Sequence, residues 1–389
     1  MRNIFIVNAT QVVTSQAHPE GLFSTVSGYP KTYDSENYNG DTDAALKAAK
    51  EGDVIKIVKV DFPIRDAVEI KNRSNITVDG SFNTFCGVDK ADSKAWKQIS
   101  PGLWKRDVRL TKGISMRYFM VINGRMERMG RFFKAKCAAS YKKVEELGLN
   151  QWTIIEQPGS KKKNTFLYSV YLKLDPKFSS PADAGVCEPQ TRRMSGVAIS
   201  GKGSGIVIKN MICRNFWNDA YNIHNKVKSV TFDTICAIDC GDDGVSAHEE
   251  CEIDVRNFLS FGNSTGICHI NNAVSRHTDV YIESALGREI YLKGVQENAT
   301  TNYFKNVYVR SSSAGGVTLG AGAGYIDVEN MTIVLADGAK SFEHPGFRGG
   351  KSRISRLFIQ CKEPEKMAQF KADLLKKFQG EVEKELKMR

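Results

Sequence analysis

The chain has 389 residues, 41% of them hydrophobic and 25% charged, with a formal net charge of +11. That length and balance suit one elongated domain or two compact ones, and no apolar run is long enough to span a membrane. The positive charge points to an anionic partner. Part of it is local, in Lys161–Lys163 and in the C-terminal tail.

Residues 1–42 carry Asn, Ser, Thr, Gly and Tyr without clear periodicity, and read as a leader or small cap. Their first residues, Met1-Arg2-Asn3-Ile4-Phe5-Ile6-Val7, are too soon polar for a secretory signal. Thr42 to Lys50 predicts a short helix with an acidic first turn, stopped by Gly52. Val68–Ile70 and Asn75–Gly80 read as short strands. From about 88 to 194 comes a stretch rich in aromatics and Arg/Lys. Within it, Phe119 to Arg131 predicts a hairpin turning at Asn123-Gly124. Short strands resume at Gly196 and run to Gln360. Residues 361–389 predict an amphipathic helix, because Met367, Phe370, Leu374, Phe378, Val382 and Leu386 step by three or four.

The stretch from Ile206 to Ile359 repeats. Asn210, Asp233, Asn257, Asp279, Asn306 and Asn330 each precede a period-2 strand, at spacings of 23, 24, 22, 27 and 24 residues; Arg356 continues the series. A period in the twenties means a solenoid. Short strands separated by Asn, Asp and Gly predict an all-β chain, a right-handed parallel β-helix over 43–360, interrupted by a β-rich lobe at 88–194. The Asn/Asp ladder is scaffold: such residues tolerate left-handed geometry and bond neighbouring backbone. Asn75 resembles a ladder position in an early coil. The helix from Thr42 then serves to cover the open first coil. Nine cysteines show no metal-ligand spacing; Cys213, Cys236 and Cys268 fall at inward positions, as small hydrophobes.

Repeat and insertion together resemble the right-handed β-helix carbohydrate-active enzymes, glycoside hydrolases with an inserted β-domain above all. Trp96, Pro101-Gly102-Leu103-Trp104, Phe119, Val121, Asn123, Gly124 and Arg131 carry the resemblance. Gly241-Asp242-Asp243-Gly244 is similar to the paired-aspartate segment of polygalacturonase-like hydrolases. Their Gly-His-Gly and Arg-Ile-Lys segments are missing here, so that mechanism does not carry over.

Counting along the coils gathers polar residues on one exposed face. His224, His248, Asn271 and Lys293 are predicted to stack as one column; Asn222, Ser246, His269 and Tyr291 form the next. Asp219, Asp242, Asp243, Glu249 and Glu250 bound this face at its corners. Asp242, Asp243, His248, His224, Asp219 and Lys293 are therefore the candidate catalytic groups. Glu249, His269, Asn271, Tyr291, Asn222 and Arg131 are the candidate substrate contacts.

A long shallow face suits a chain-like substrate. The expected function is a polysaccharide-degrading enzyme, a glycoside hydrolase on an acidic polysaccharide. One alternative is a lyase using a base such as Lys293 or His248. The other is a non-catalytic glycan-binding β-helix, such as a trimeric tail-spike or an adhesin. No metal or other cofactor is expected, save calcium for a lyase; no nucleic-acid or membrane partner is expected. An extracellular or virion-associated location follows from that reading.

Overall fold

The structure is a computed structural model of the chain. It describes residues 3–6, 41–111, 117–128, 130–131, 137–139, 142–190, 193–293, 300–310, 324–335, 353–360 and 381–388, less 58, 62, 284 and 287, together with Glu365, Ala368, Gln369 and Ala372. The fold is a parallel β-solenoid of about ten turns. One face is a six-stranded parallel sheet. Its strands are, in axial order, Val68–Lys71, Val197–Ser200, Tyr221–Ile223, Asp243–His248, Thr265–Ile270 and Arg288–Lys293. The remaining coil strands form a twelve-stranded sheet that begins at Asn3–Ile6 and ends at Glu381–Met388.

The long strands of that sheet share a left-handed position, at Asn210, Thr234, Asn257, Asp279 and Asn306. These residues lie side by side across the coils. The amide of Asn257 donates to Asp233 Oδ1 at 3.0 Å, that of Asn306 to Asp279 Oδ1 at 2.9 Å, and that of Asn330 to Asn306 Oδ1 at 3.1 Å. Each bond ties one coil to the next. The ladder differs from the sequence reading at two places. In the second coil Thr234 holds the left-handed position, and Asp233 supplies only the acceptor. In the first coil Asp79 accepts from Asn210 at 3.0 Å. Asn75 lies at a different corner, beside Gly205, where a Cβ would stand 2.4 Å from Asn75 Oδ1.

Inward side chains stack from coil to coil. Ile208, Phe232 and Val255 form one such column, continued by His277 and Phe304. All are buried, and each apolar member contributes roughly 1.5–3 kcal/mol by leaving water. Cys213 belongs to this core. Cys236 does not: it packs with Ile212 and Ile238 in a separate small cluster, paired with Ile212 and Leu259. Cys86, Cys187, Cys213, Cys236, Cys240, Cys251 and Cys268 are all buried.

The helix Asp41–Ala48 stands at the first coils, with Ala45 and Leu46 packed into the core. Most of residues 1–42 lies outside the described residues, but Asn3–Ile6 pairs in parallel with Val54–Ile57. The predicted helix over 361–389 is corrected in its last part. Glu381–Met388 is a strand, with Val382 opposite Ile354 and Leu386 opposite Leu357. A spacing of four, Val382 to Leu386, satisfies both a helix and a period-2 strand. Gly380 favours ending a helix there, and the open edge of the last coil offers backbone partners to a strand.

Between Val88 and Pro189 the chain leaves the stack. It builds two four-stranded antiparallel sheets and a two-stranded one, Gly130–Arg131 with Cys137–Ala139. The hairpin Phe119–Ile122 and Arg125–Arg128 turns at Asn123 and Gly124, both at positive φ. This lobe has its own core around Trp152, Val170 and Leu172. Trp217, from a solenoid corner, inserts into that core and meets Tyr118 edge-on at 5.6 Å. The lobe therefore docks beside the corner that carries Asn218 and Asp219.

Candidate functional site

Each strand of the six-stranded sheet is entered through a corner residue. Asp243, Thr265 and Arg288 are these residues on three successive coils. Asp219 precedes them, because Tyr221 pairs with Val245. The residue after each corner turns inward. A Cβ on Gly244 would lie 2.9 Å from Ser260 Oγ, and one on Gly266 2.6 Å from Ile282 Cγ2, both core side chains. Glycine lets the chain hug the core here while the preceding side chain points away from it.

Asp219, Asp242 and Asp243 converge. One carboxylate oxygen from each lies within 4.8 Å of the others, at only 2%, 4% and 1% exposure. Several protein donors serve them. Asp219 Oδ1 accepts the Asp243 N–H at 3.0 Å, and its Oδ2 accepts the Asn218 amide at 3.1 Å. Ser246 Oγ donates to Asp243 Oδ2 at 3.0 Å. Arg117 Nη2 lies 2.9 Å from Asp242 Oδ2, and Nη1 donates to Asn218 Oδ1. The trio has the donor chemistry of a divalent-cation site, but a cation would compete with Arg117 for it.

Arg117 is the functional residue that the sequence did not reveal. It comes from the lobe, belongs to no repeat or motif, and reaches the site only because the lobe docks at Trp217. No signal in the chain short of that docking singles it out.

Ser246 links the acids to the histidines. Its hydroxyl lies 2.7 Å from His248 Nε2. With its proton on Asp243, Ser246 accepts the His248 Nε2–H. This order, carboxylate–serine–imidazole, differs from that of a nucleophilic triad, where the imidazole takes the serine proton. His224 stacks on His248 with ring centroids 4.4 Å apart and a 31° tilt. Burial pulls the His224 pKa down, against a smaller upward pull from Glu249. His224 thus favours the neutral form, as a base requires.

The two predicted columns are each altered at one coil. His248 pairs with Ile270, and Ile270 with Lys293, so Ile270 takes the place given to Asn271. Likewise Ser246 pairs with Cys268, which takes the place given to His269. Cys268 is thus in an outward column, though buried. His269 pairs with Ala247 and points into the core. Asn271 and Glu249 turn out to be corner residues in the left-handed region, as is Asn225, whose amide donates to Glu249 Oε2 at 2.8 Å. They form a second ladder. The physical reason for the shift is a shorter corner: three residues separate Asp239 from Asp243, and two separate Gly262 from Thr265. Losing one residue flips the alternation.

Asn222 and Tyr291 keep their predicted column, flanking Ser246 and Cys268. Ser246 and Asn222 are buried rather than exposed. The Arg288 guanidinium lies over the Tyr291 ring, 4.3 Å from its centroid. Lys293 holds its register by backbone pairing, and Arg131 pairs with Cys137; both side chains lie outside the described residues.

No protein-family model matches the chain, and no curated protein matches it. No helix among the described residues is long and apolar enough to cross a membrane.

Proposed function

We propose that the chain acts on a polysaccharide, as a glycoside hydrolase whose reacting carboxyl groups come from Asp219, Asp242 and Asp243. One observation carries the reading: three carboxylates converge within 4.8 Å, with the Arg117 guanidinium set against one of them. Like charges so close, and so dry, favour keeping a proton among them. Glycoside hydrolysis needs that combination, one carboxylic acid and one carboxylate. The separation stands nearer the retaining geometry, about 5 Å, than the inverting one. Substrate reaches the acids by displacing the Arg117–Asp242 contact, with His224 and His248 at the half-exposed rim.

The burial of the trio favours a second reading. On it, Asp219, Asp242 and Asp243 brace the lobe against the solenoid, and the half-exposed face around His224, His248 and Tyr291 binds glycan without cutting it.

One experiment separates them. Purified protein is incubated with a panel of polysaccharides, and new reducing ends and the absorbance of unsaturated uronates are followed together. Reducing ends alone support the hydrolase, and retained anomeric configuration by proton NMR supports the pair geometry. Both signals together mean a lyase. Neither signal, with retention of the protein on an immobilised glycan, leaves binding.

A further inference from the structure

The corner column that holds the acids changes sign along the axis. Asp219 and Asp243 are followed by Thr265 and then by Arg288. Adjacent coils are about 4.8 Å apart, which sets Arg288 roughly 10 Å from Asp243 on the same face. At two of these corners the side chain folds back towards the residue three further on. Asp243 meets Ser246 in this way, by a hydrogen bond, and Arg288 meets Tyr291, by lying over its ring.

Arg288 is an unusual arginine. It is half-buried, and its Nε is buried without a hydrogen-bond partner. Among the described residues no carboxylate lies within ion-pair distance of it, in contrast to Arg117, Arg106 and Arg256. The aromatic stack fixes the guanidinium plane and leaves its donor edge unused. One coil back, the hydroxyls of Ser264 and Thr265 are also buried and without partners, at 1% and 0% exposure. Thr265 is in register with both Asp243 and Arg288, and paired residues of parallel strands project to the same side. A half-buried cation and two buried hydroxyls, each short of an acceptor among the described residues, make a site that lacks an anion.

The geometry points to an anion subsite at Arg288, completed by Ser264 and Thr265, that takes the carboxylate or sulfate ester of an acidic sugar unit. Arg288 gives the fork that planar or tetrahedral oxyanions accept. The hydroxyls donate to the remaining oxygens. The offset from the acids places the charged group on a different sugar from the one beside Asp243. The inference rests on the reading that this face holds a polysaccharide, whether or not it is cut.

The test is calorimetric binding of the full chain, and of its Asp243→Asn variant so that turnover does not intervene. The probes are polygalacturonate, its fully methyl-esterified form, a sulfated galactan, a neutral galactan and single-stranded DNA. Tighter binding of polygalacturonate than of its ester assigns a carboxylate; preference for the sulfated galactan assigns a sulfate ester. In either case Arg288→Gln is expected to weaken the acidic chain at least tenfold and leave the neutral one unchanged. Arg288→Lys, which keeps the charge and loses the fork, falls between. Thr265→Val gives a smaller loss in the same direction. The subsite is overturned if neither acidic glycan binds, if Arg288→Gln and Thr265→Val bind like the parent, or if DNA binds as well as the acidic glycans. Arg288-dependent binding in a protein that cleaves nothing removes the hydrolase and keeps the subsite. Cleavage of an acidic chain untouched by Arg288→Gln does the reverse.

Discussion

His269 and His277 meet inside the solenoid, Nε2 to Nε2 at 2.8 Å, with both side chains buried. His269 Nδ1 accepts the Ala247 N–H at 3.2 Å, so His269 carries its proton on Nε2 and gives it to His277. His277 then holds its own proton on Nδ1, where it has no hydrogen-bond partner. It stacks on Phe304 at 4.9 Å. Both rings are neutral, and charging either leaves a cation in the core.

This pair predicts acid lability. Burial pushes the His277 pKa down to about 3, and it lowers that of His269 well below the ordinary range, helped by His277 and His248. A lowered folded-state pKa means that the unfolded chain takes up the proton first as pH falls. For His277 the contribution is intact above about pH 6.5 and is lost between there and about pH 3, at ~1.4 kcal/mol per pH unit; His269 adds to the loss in the same direction. His277→Gln keeps an acceptor for His269 and does not titrate. Urea midpoints measured from pH 7 to pH 4 should fall less steeply in this variant, by about one proton's worth of slope. Equal slopes in parent and variant would refute the assignment.

The ladder predicts opposite outcomes at two neighbouring coils. Asn257 holds the left-handed region and bonds Asp233, so Asn257→Ala loses both the bond and the tolerance for that backbone. The expected cost is about 2–3 kcal/mol, and Asn257→Gly should recover roughly half of it. Thr234 is a β-branched residue at the equivalent left-handed position. Thr234→Asn should therefore stabilise the solenoid by about 1 kcal/mol. Chemical denaturation checks both; a destabilised Thr234→Asn would show that its bond to Asp233 at 3.0 Å outweighs the strain.

The fold was legible because the ladder recurs by chemistry as well as by spacing. The site was legible only as far as the register could be counted. With Thr234 as the ladder residue, His224 and His248 both lie fourteen positions after their ladder residue, so these two coils keep one register. Ile270 lies thirteen after Asn257, because the corner before Thr265 is short. Period-2 patterning did not expose this, since Cys268 and Ile270 look inward by composition and His269 looks outward. The acids at Asp219, Asp242 and Asp243 were visible as residues. Their burial was not, because the lobe that covers them and its Arg117 lie about a hundred residues away in sequence.

Arg117 and Asp242 should behave as a coupled pair. Their side chains are 15% and 5% exposed, so removing one leaves the other charge poorly solvated. Arg117→Ala is expected to cost about 3–5 kcal/mol. Adding Asp242→Asn to it should cost less than the sum of the two single changes by about 1 kcal/mol or more. A double-mutant cycle read by denaturation measures this. Strict additivity would mean that the contact does not join the lobe to the solenoid energetically.

The last prediction concerns the chain Asp243–Ser246–His248. Asp243 accepts from Ser246 at 3.0 Å, and Ser246 lies 2.7 Å from His248 Nε2. If the carboxylates react and His248 supplies or removes their proton through Ser246, all three positions matter to turnover, in different ways. Asp243→Asn and His248→Ala should each lower it by at least about a hundredfold on a substrate that the parent cleaves. Ser246→Ala keeps both end groups and breaks the link, so its effect should fall on the pH profile, by displacing one limb. The His248 side chain is partly solvent-exposed, and Asp243→Asn keeps the shape and an acceptor for Ser246, so circular dichroism and melting should show an intact solenoid. Imidazole nitrogen NMR gives a readout that needs no substrate: His248 should carry its proton on Nε2 in the parent and lose that preference in Ser246→Ala. Near-normal turnover in both Asp243→Asn and His248→Ala would place the reaction elsewhere on the solenoid and leave the fold as described.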